Sequence, residues 1–267
     1  MDKFFPLLKP HSVSLDSRIY TAAISSKPAK HDQKHHGQRG GSLAPTQERQ
    51  AYLALISTLQ KKDNLPAVVF VFSKKKIEDL TEQIGTKVDL LTASERGHVH
   101  KFFTKSLSKL KEVDRELPQI QKVFRLLKVG IGMHHSGILP LLKEIVEILF
   151  QQGHVKLLFA TETFSMGVNM PARTVVFDNI LKNDGKRRRE LLPSEYIQMA
   201  GRAGRRGIDT IGTVVILCRN EIPELSVLDQ MMLGKPVHLE SKFRLTTSLV
   251  LGMMRVEHLK FVTFFLG

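Results

Sequence analysis

Five short apolar runs constrain this chain more than any other feature: Ala67–Phe72, Val129–His134, Val155–Ala160, Thr174–Phe177 and Thr213–Leu217. They are short, rich in β-branched and aromatic residues and largely continuous in their hydrophobicity. Strands buried on both faces of a parallel sheet read this way. Between the runs the period becomes helical. Tyr52, Leu55, Ile56 and Leu59 fall at i, i+3, i+4 and i+7, with Thr46 as candidate N-cap. Lys74–Ile84 resumes helical spacing, and residues 94–128 are mostly helical, with Pro118 as the break. Leu142, Ile145, Val146 and Leu149 mark the core face of a helix after Pro140. Strands alternating with helices predict an α/β domain with a mainly parallel sheet.

Charge narrows the partners. Lysine and arginine number 40 against 26 acids, a net +14 over 267 residues. Such an excess points to nucleic acid, nucleotide phosphate or an anionic membrane surface, with a merely basic soluble protein as the competing reading. The lone Cys218 excludes an internal disulfide and a cysteine-built zinc site, and it fits a reducing compartment. No apolar run reaches the roughly 18 residues of a membrane span. Asp2, Lys3 and Pro6 interrupt the start, which does not read as a secretory signal. Residues 1–45 read as an irregular basic linker. His31, His35 and His36 have only Asp32 as an acid among them, so they read as solvated rather than metal-binding.

Four segments carry chemistry, and the sequence reading sets them at strand ends, where open parallel sheets bind ligands. Ser73-Lys-Lys-Lys76 follows the first run and can hold a phosphate at a helix start, although a solvated first turn reads the same way. Gly130-Ile-Gly-Met-His-His-Ser-Gly-Ile-Leu-Pro140 follows the second. By itself it favours a tight strand-to-helix turn with a histidine packed beneath. In Ala160–Pro171, hydroxyls and amides suit a phosphodiester backbone and Asn169 could reach a ribose hydroxyl; a structural turn is the alternative. The decisive segment is Gln198-Met-Ala-Gly-Arg-Ala-Gly-Arg-Arg-Gly207. Arg202 and Arg205, three apart, are expected to project from one helical face that Gly201, Gly204 and Gly207 keep bare. Paired guanidiniums of this kind neutralise charge on a transferring phosphoryl group.

Taken in this order, the four segments resemble motifs IV, IVa, V and VI of superfamily-two helicases, in the version of the superkiller-like branch of DExH RNA helicases. The resemblance extends through His134–Glu147, Phe159–Thr163, Met166–Phe177 and Lys242-Phe-Arg-Leu-Thr246, and covers roughly residues 45–258. It implies a RecA-like three-layer α/β domain over 46–235, an irregular linker over 1–45, and the start of a truncated helical extension over 236–267. It assigns Gln198, Arg202 and Arg205 to the γ-phosphate of ATP, and Gly167 and Asn169 to the ribose side. Ser73, His135, Gly137 and Thr161 go to the backbone of single-stranded RNA. No metal ligand is implied within the chain. ATP and its Mg²⁺ would be held mainly by a first RecA-like domain, because neither a Gly-x-x-x-x-Gly-Lys-Ser/Thr loop nor an acidic magnesium motif occurs in the 267 residues.

The chain therefore resembles only a second motor domain and is expected to be inactive alone. Its apolar ending, Phe261–Gly267, reads as a truncated or partial product. The implied setting is cytoplasmic, in a 3′–5′ helicase that works with superkiller complex subunits and the cytoplasmic exosome in mRNA decay, away from membranes. A non-catalytic RNA-binding module and a DNA helicase of the same branch are the alternatives.

Overall fold

The computed structural model describes residues 4–9, 12, 14–26, 45–108, 110–167, 169–185, 187–218, 221–235, 247, 251 and 252. Met1–Pro236 form one compact unit and Val237–Gly267 a second. The resembling stretch at 242–246 and the apolar ending at 261–267 lie outside the described residues, as does the histidine-bearing part of the linker.

In the first unit the chain runs α1 (Ser17–Ser25), α2 (Pro45–Lys61), β1 (Ala67–Phe70), α3 (Lys74–Gly85), α4 (Ala93–Leu107), α5 (Glu112–Arg115), α6 (Pro118–Leu127) and β2 (Ile131–His134). It continues through α7 (Pro140–Gln151), β3 (Leu157–Ala160), α8 (Thr163–Gly167), β4 (Thr174–Phe177), β5 (Leu181–Asn183) and β6 (Arg188–Glu190). Helix α9 (Pro193–Ala200), β7 (Thr213–Ile216) and α10 (Leu225–Leu233) complete it. All five apolar runs become strands of one parallel sheet, ordered β2-β3-β1-β4-β7. The runs are trimmed at their ends: Val71 and Val155 are buried but stand outside the ladder.

Burial explains why the runs are continuous rather than alternating. Every residue of β1, β2, β3 and β4 is buried, between helices that cover the sheet. Tyr52, Leu55, Ile56 and Leu59 of α2, and Leu142, Ile145, Val146 and Leu149 of α7, are each at most 4% exposed. Removing a side chain of this size from water stabilises by about 1.5–3 kcal/mol. Pairing is flush at the carboxyl end: His134, Ala160, Phe70, Phe177 and Ile216 stand side by side across the five strands. The loops that follow those residues therefore emerge along one edge.

Two expectations need correction. Thr46 lies inside α2, which begins at Pro45, so it is not the N-cap. The arm over 1–45 is not irregular throughout: α1 is capped by the Asp16 carboxylate, which accepts from the Arg18 and Ile19 N–H groups. Its Tyr20 hydroxyl donates to the Pro223 carbonyl at 3.0 Å. Residues 181–190, for which no expectation was made, form a two-stranded antiparallel hairpin, β5–β6, that closes over residues 184–187. Its strands are polar because they are largely exposed, so no apolar period marks them.

Candidate functional site

Along the carboxyl edge, the structure brings together the residues expected to meet a strand. Thr161 directly follows β3, His135 and Gly137 follow β2, and Ser73 follows β1, and these three strands are neighbours in the sheet. Ser73 caps α3, its Oγ accepting from the Lys76 N–H at 3.3 Å, and is exposed. A hydroxyl that accepts in this way still has its own proton to donate outward. Of the three lysines behind it, Lys76 is turned inward to Glu48 and Asp178, both at 2.8 Å. Lys74 and Lys75 are exposed and form no ion pair among the described residues.

His135 behaves differently from a surface ligand. Its side chain is 1% exposed, and Nδ1 accepts the Gly137 N–H at 3.1 Å. That bond puts the ring proton on Nε2, which is buried with no hydrogen-bond partner among the described residues and lies 3.6 Å from a Glu78 oxygen. Burial lowers its pKa, so the ring is neutral at pH 7. The imidazole supports the turn and is closed to a ligand arriving from outside. Gly137 is needed for that packing: a Cβ there would sit 3.1 Å from the ring nitrogen.

The arginine segment requires the larger correction. Helix α9 ends at Ala200, so Arg202 and Arg205 do not share a helical face. The chain turns instead and runs beside Ala172, which donates to the Arg202 carbonyl at 2.8 Å and accepts from the Gly204 N–H at 2.7 Å. Ala172 precedes β4, and Thr213, which opens β7, donates to the Arg173 carbonyl. The arginines thus stand at the amino ends of β4 and β7, not on the carboxyl edge. The glycines serve backbone packing: Gly204 has φ of +90°, and a Cβ on Gly212 would overlap the Ala203 carbonyl.

Each guanidinium is held on one side and open on another. Arg205 gives its Nε and Nη2 protons to the two oxygens of Asp209, both at 2.8 Å, and its backbone N–H to the same carboxylate at 2.9 Å. Asp209 is 3% exposed at its side chain, and the guanidinium beside it lowers its pKa to about 2. The Arg205 side chain remains 26% exposed, and its Nη1 makes no hydrogen bond among the described residues. Arg202 donates to the Ser165 carbonyl and, at 3.4 Å, to Asn169 Oδ1. The structure thereby joins Arg202 to Asn169, which the resemblance assigned to different parts of the nucleotide. Gly167 and Gln198 are exposed nearby, on α8 and α9, and a Cβ on Gly167 would meet nothing within 4 Å.

Asp209 and Ser165 were not foreseen. Asp209 carried a faint signal, an acid four residues after Arg205; the Ser165 contribution is a carbonyl and leaves none. Exposed apolar side chains flank these contacts: Met166 at 63%, Ile197 at 47%, Ile208 at 71% and Ile211 at 59%. A bridge of charges joins the turn after β3, strand β5 and the start of α9. Lys182 of β5 contacts Glu162, beside Thr161, at 2.5 Å and Glu195 of α9 at 2.8 Å. Glu195 also takes Arg189 at both oxygens and caps α9 through the Leu192 N–H.

Comparison with known proteins follows the same residues. Positions 94–207 match the helicase conserved C-terminal domain. The chain is 50% identical over 247 residues to superkiller complex protein 2 of Homo sapiens, covering 90% of this chain and 20% of that protein. It is 52% identical over 209 residues to the DExH-box ATP-dependent RNA helicase DExH11 of Arabidopsis thaliana, covering 78% of this chain and 15% of that protein. Against exosome RNA helicase MTR4 of Homo sapiens it is 45% identical over 231 residues, 86% of this chain and 21% of that protein. The chain thus spans about a fifth of the length of these relatives. With its helicase C-terminal domain built on a parallel α/β sheet, it belongs to the superkiller-like family of DExH-box RNA helicases.

Proposed function

We propose that this chain supplies the second motor domain of an ATP-dependent RNA helicase, gripping single-stranded RNA on one face and completing an ATP site on another. The observation that carries the reading is the separation of those faces. Ser73 and Thr161 stand with exposed lysines at the carboxyl edge, and two half-open guanidiniums stand at the opposite end of the sheet. Hydroxyls, amides and lysines suit phosphates of any sequence, as a motor that steps along a strand requires.

The arginine face suits a nucleotide held by a second domain. Its exposed isoleucines and methionine favour docking onto another protein surface. Arg202 and Arg205 are held in place before any ligand arrives, which is what stabilises charge on a transferring phosphoryl group. ATP with Mg²⁺ supplies that group when bound. In this reading Gln198, Arg202 and Arg205 meet its γ-phosphate, and Gly167 with Asn169 lines the ribose side. The phosphate cradle and the metal site belong to the first RecA-like domain.

The wider setting follows the family resemblance: a cytoplasmic 3′–5′ helicase, working with superkiller complex subunits to deliver RNA to the exosome. Support comes from the closer identity to superkiller complex protein 2 than to MTR4.

The test has two arms. The purified chain binds labelled single-stranded RNA and shows no RNA-stimulated ATP hydrolysis. Substituted for the matching 247 residues of human superkiller complex protein 2, it restores RNA-stimulated hydrolysis. Turnover by the chain alone, or an inactive chimera that still folds and binds RNA, overturns the proposal.

A further inference from the structure

The turn after β2 is clasped by a side chain that lies outside all four motifs. Gln119, in the first turn of α6, donates from Nε2 to the Gly137 carbonyl at 2.8 Å and accepts the Leu139 N–H on Oε1 at 2.9 Å. The Gly137 N–H goes to His135 Nδ1, and the Ile138 N–H goes to the His135 carbonyl at 3.1 Å. Both backbone polar groups of Gly137 are therefore engaged within the protein. Ser136 is the exception. It is exposed, and its N–H and hydroxyl make no hydrogen bond among the described residues. The Lys74 side chain lies alongside, its Cδ 3.9 Å from where a Cβ on Gly137 would stand.

We infer that Gln119 is a positioning residue of the strand-binding edge, clasping Gly137 and Leu139 so that Ser136, beside Lys74, meets a backbone phosphate. The inference rests on the reading of that edge as an RNA grip. It moves the contact at this turn from His135, whose ring is buried, and Gly137, whose backbone groups are engaged, to the residue between them. Two hydrogen bonds from one amide hold the turn at both sides of Ile138, while the buried imidazole holds it from beneath. A turn fixed in this way presents its free donors without an ordering cost when the strand arrives.

The test titrates the 267-residue chain against fluorescein-labelled oligouridine, reading anisotropy at several salt concentrations. Gln119→Ala weakens binding about 5-fold, the scale of one lost hydrogen bond, with the salt slope unchanged because no charge on a phosphate is removed. Exchange of the Leu139 amide speeds up, and the melting temperature is retained. Gln119→Glu keeps an acceptor for Leu139 but sets a carboxylate against the Gly137 carbonyl, and it binds no better than the alanine variant. Ser136→Ala weakens binding by a similar factor, and adding Gln119→Ala to it costs little more. Additive losses would place Gln119 on the RNA itself and overturn the inference. So would wild-type affinity in Gln119→Ala, or unchanged exchange at Leu139. A wild-type chain that does not bind oligouridine overturns the reading of the edge, and the inference falls with it.

Discussion

The two ends of the sheet are built on opposite principles. At the carboxyl edge the outward groups are hydroxyls, amides and unpaired lysines, and the charged residues beneath them are tied inward, as Lys76 is to Glu48 and Asp178. At the amino end the outward groups are the charges themselves, each fixed by a protein acceptor: Arg205 by Asp209, Arg202 by a carbonyl and Asn169. In the proposed reading, a strand that must slide would be met by modest, replaceable hydrogen bonds. A phosphoryl group whose charge develops at one point would be met by cations that cannot drift.

Breaking one end and sparing the other is the strongest check on this comparison, and the largest effect is expected at Arg205. In the chimeric helicase described above, Arg205→Ala lowers ATP turnover by about 10³-fold or more, as removal of an arginine finger does. RNA affinity stays within about 2-fold, since Arg205 stands away from the strand-binding edge and no group there is removed. A steady-state ATPase assay and an anisotropy titration on the same preparation read both quantities. Substantial turnover would remove Arg205 from the phosphoryl site.

The next largest effect separates the pin from the charge it holds. Asp209→Asn leaves Arg205 and Arg173 facing a neutral amide, and Arg173 Nε lies 3.6 Å from the same carboxylate. Losing one partner of a fully buried pair costs about 3–5 kcal/mol. The arginines are 26% and 31% exposed, so solvent screening reduces the expected loss to about 2 kcal/mol. A urea melt of the 267-residue chain measures it, and an unmoved midpoint would show that Arg205 needs no pin.

Acid titration sharpens the same point at somewhat smaller scale. The Asp209 carboxyl is lowered from 3.8 to about 2, and that of Glu195 from 4.5 to about 2. A carboxyl whose folded pKa is depressed stabilises fully above its unfolded pKa and loses that contribution as pH falls through the folded value. The contribution of these two carboxyls is therefore flat above about pH 5 and falls between about pH 4 and pH 2. In Asp209→Asn the fall is shallower, because one group no longer takes up a proton on unfolding. Melting temperatures recorded from pH 7 to pH 2 on both proteins test it; parallel curves would sink the assignment.

Legibility in the sequence divided along the same line as the two ends. The sheet was readable because burial on both faces leaves long apolar words such as Ala-Val-Val-Phe and Leu-Leu-Phe-Ala, and helices α3 and α7 because their buried faces repeat every three to four residues. The carboxyl-edge loops were placed correctly because they directly follow strands. The arginine segment was expected on one helical face and stands instead in the turn after α9. Glycine spacing and an i, i+3 arginine pair look helical in one dimension, whereas the positive φ at Gly204 and Gly207 is a property of the folded turn. Gln119 and Ser165 act through partners distant in sequence or through a carbonyl, and neither kind of contact has a residue-type signature. The β5–β6 hairpin is held by its Asp-Gly turn and by Lys182 and Arg189, not by apolar alternation.

The smallest expected effect bears on the strand end alone, at Ser73, where one hydroxyl caps α3 and, in the proposed reading, donates to a phosphate. Ser73→Ala removes both roles: a lost N-cap costs about 1 kcal/mol of stability, and RNA binding weakens about 3-fold to 5-fold. Ser73→Asp separates them. The carboxylate accepts the Lys76 N–H and lies at a helix N-terminus, so stability is retained or rises by a few tenths of a kcal/mol. The same charge repels a phosphate arriving at that spot, so RNA affinity falls below that of the alanine variant. Thermal melts paired with anisotropy titrations should therefore rank wild type, aspartate and alanine differently in the two assays. Aspartate binding RNA as well as serine would show that the strand passes elsewhere along the edge, because a cap can be exchanged for another acceptor but a phosphate donor cannot be exchanged for an anion.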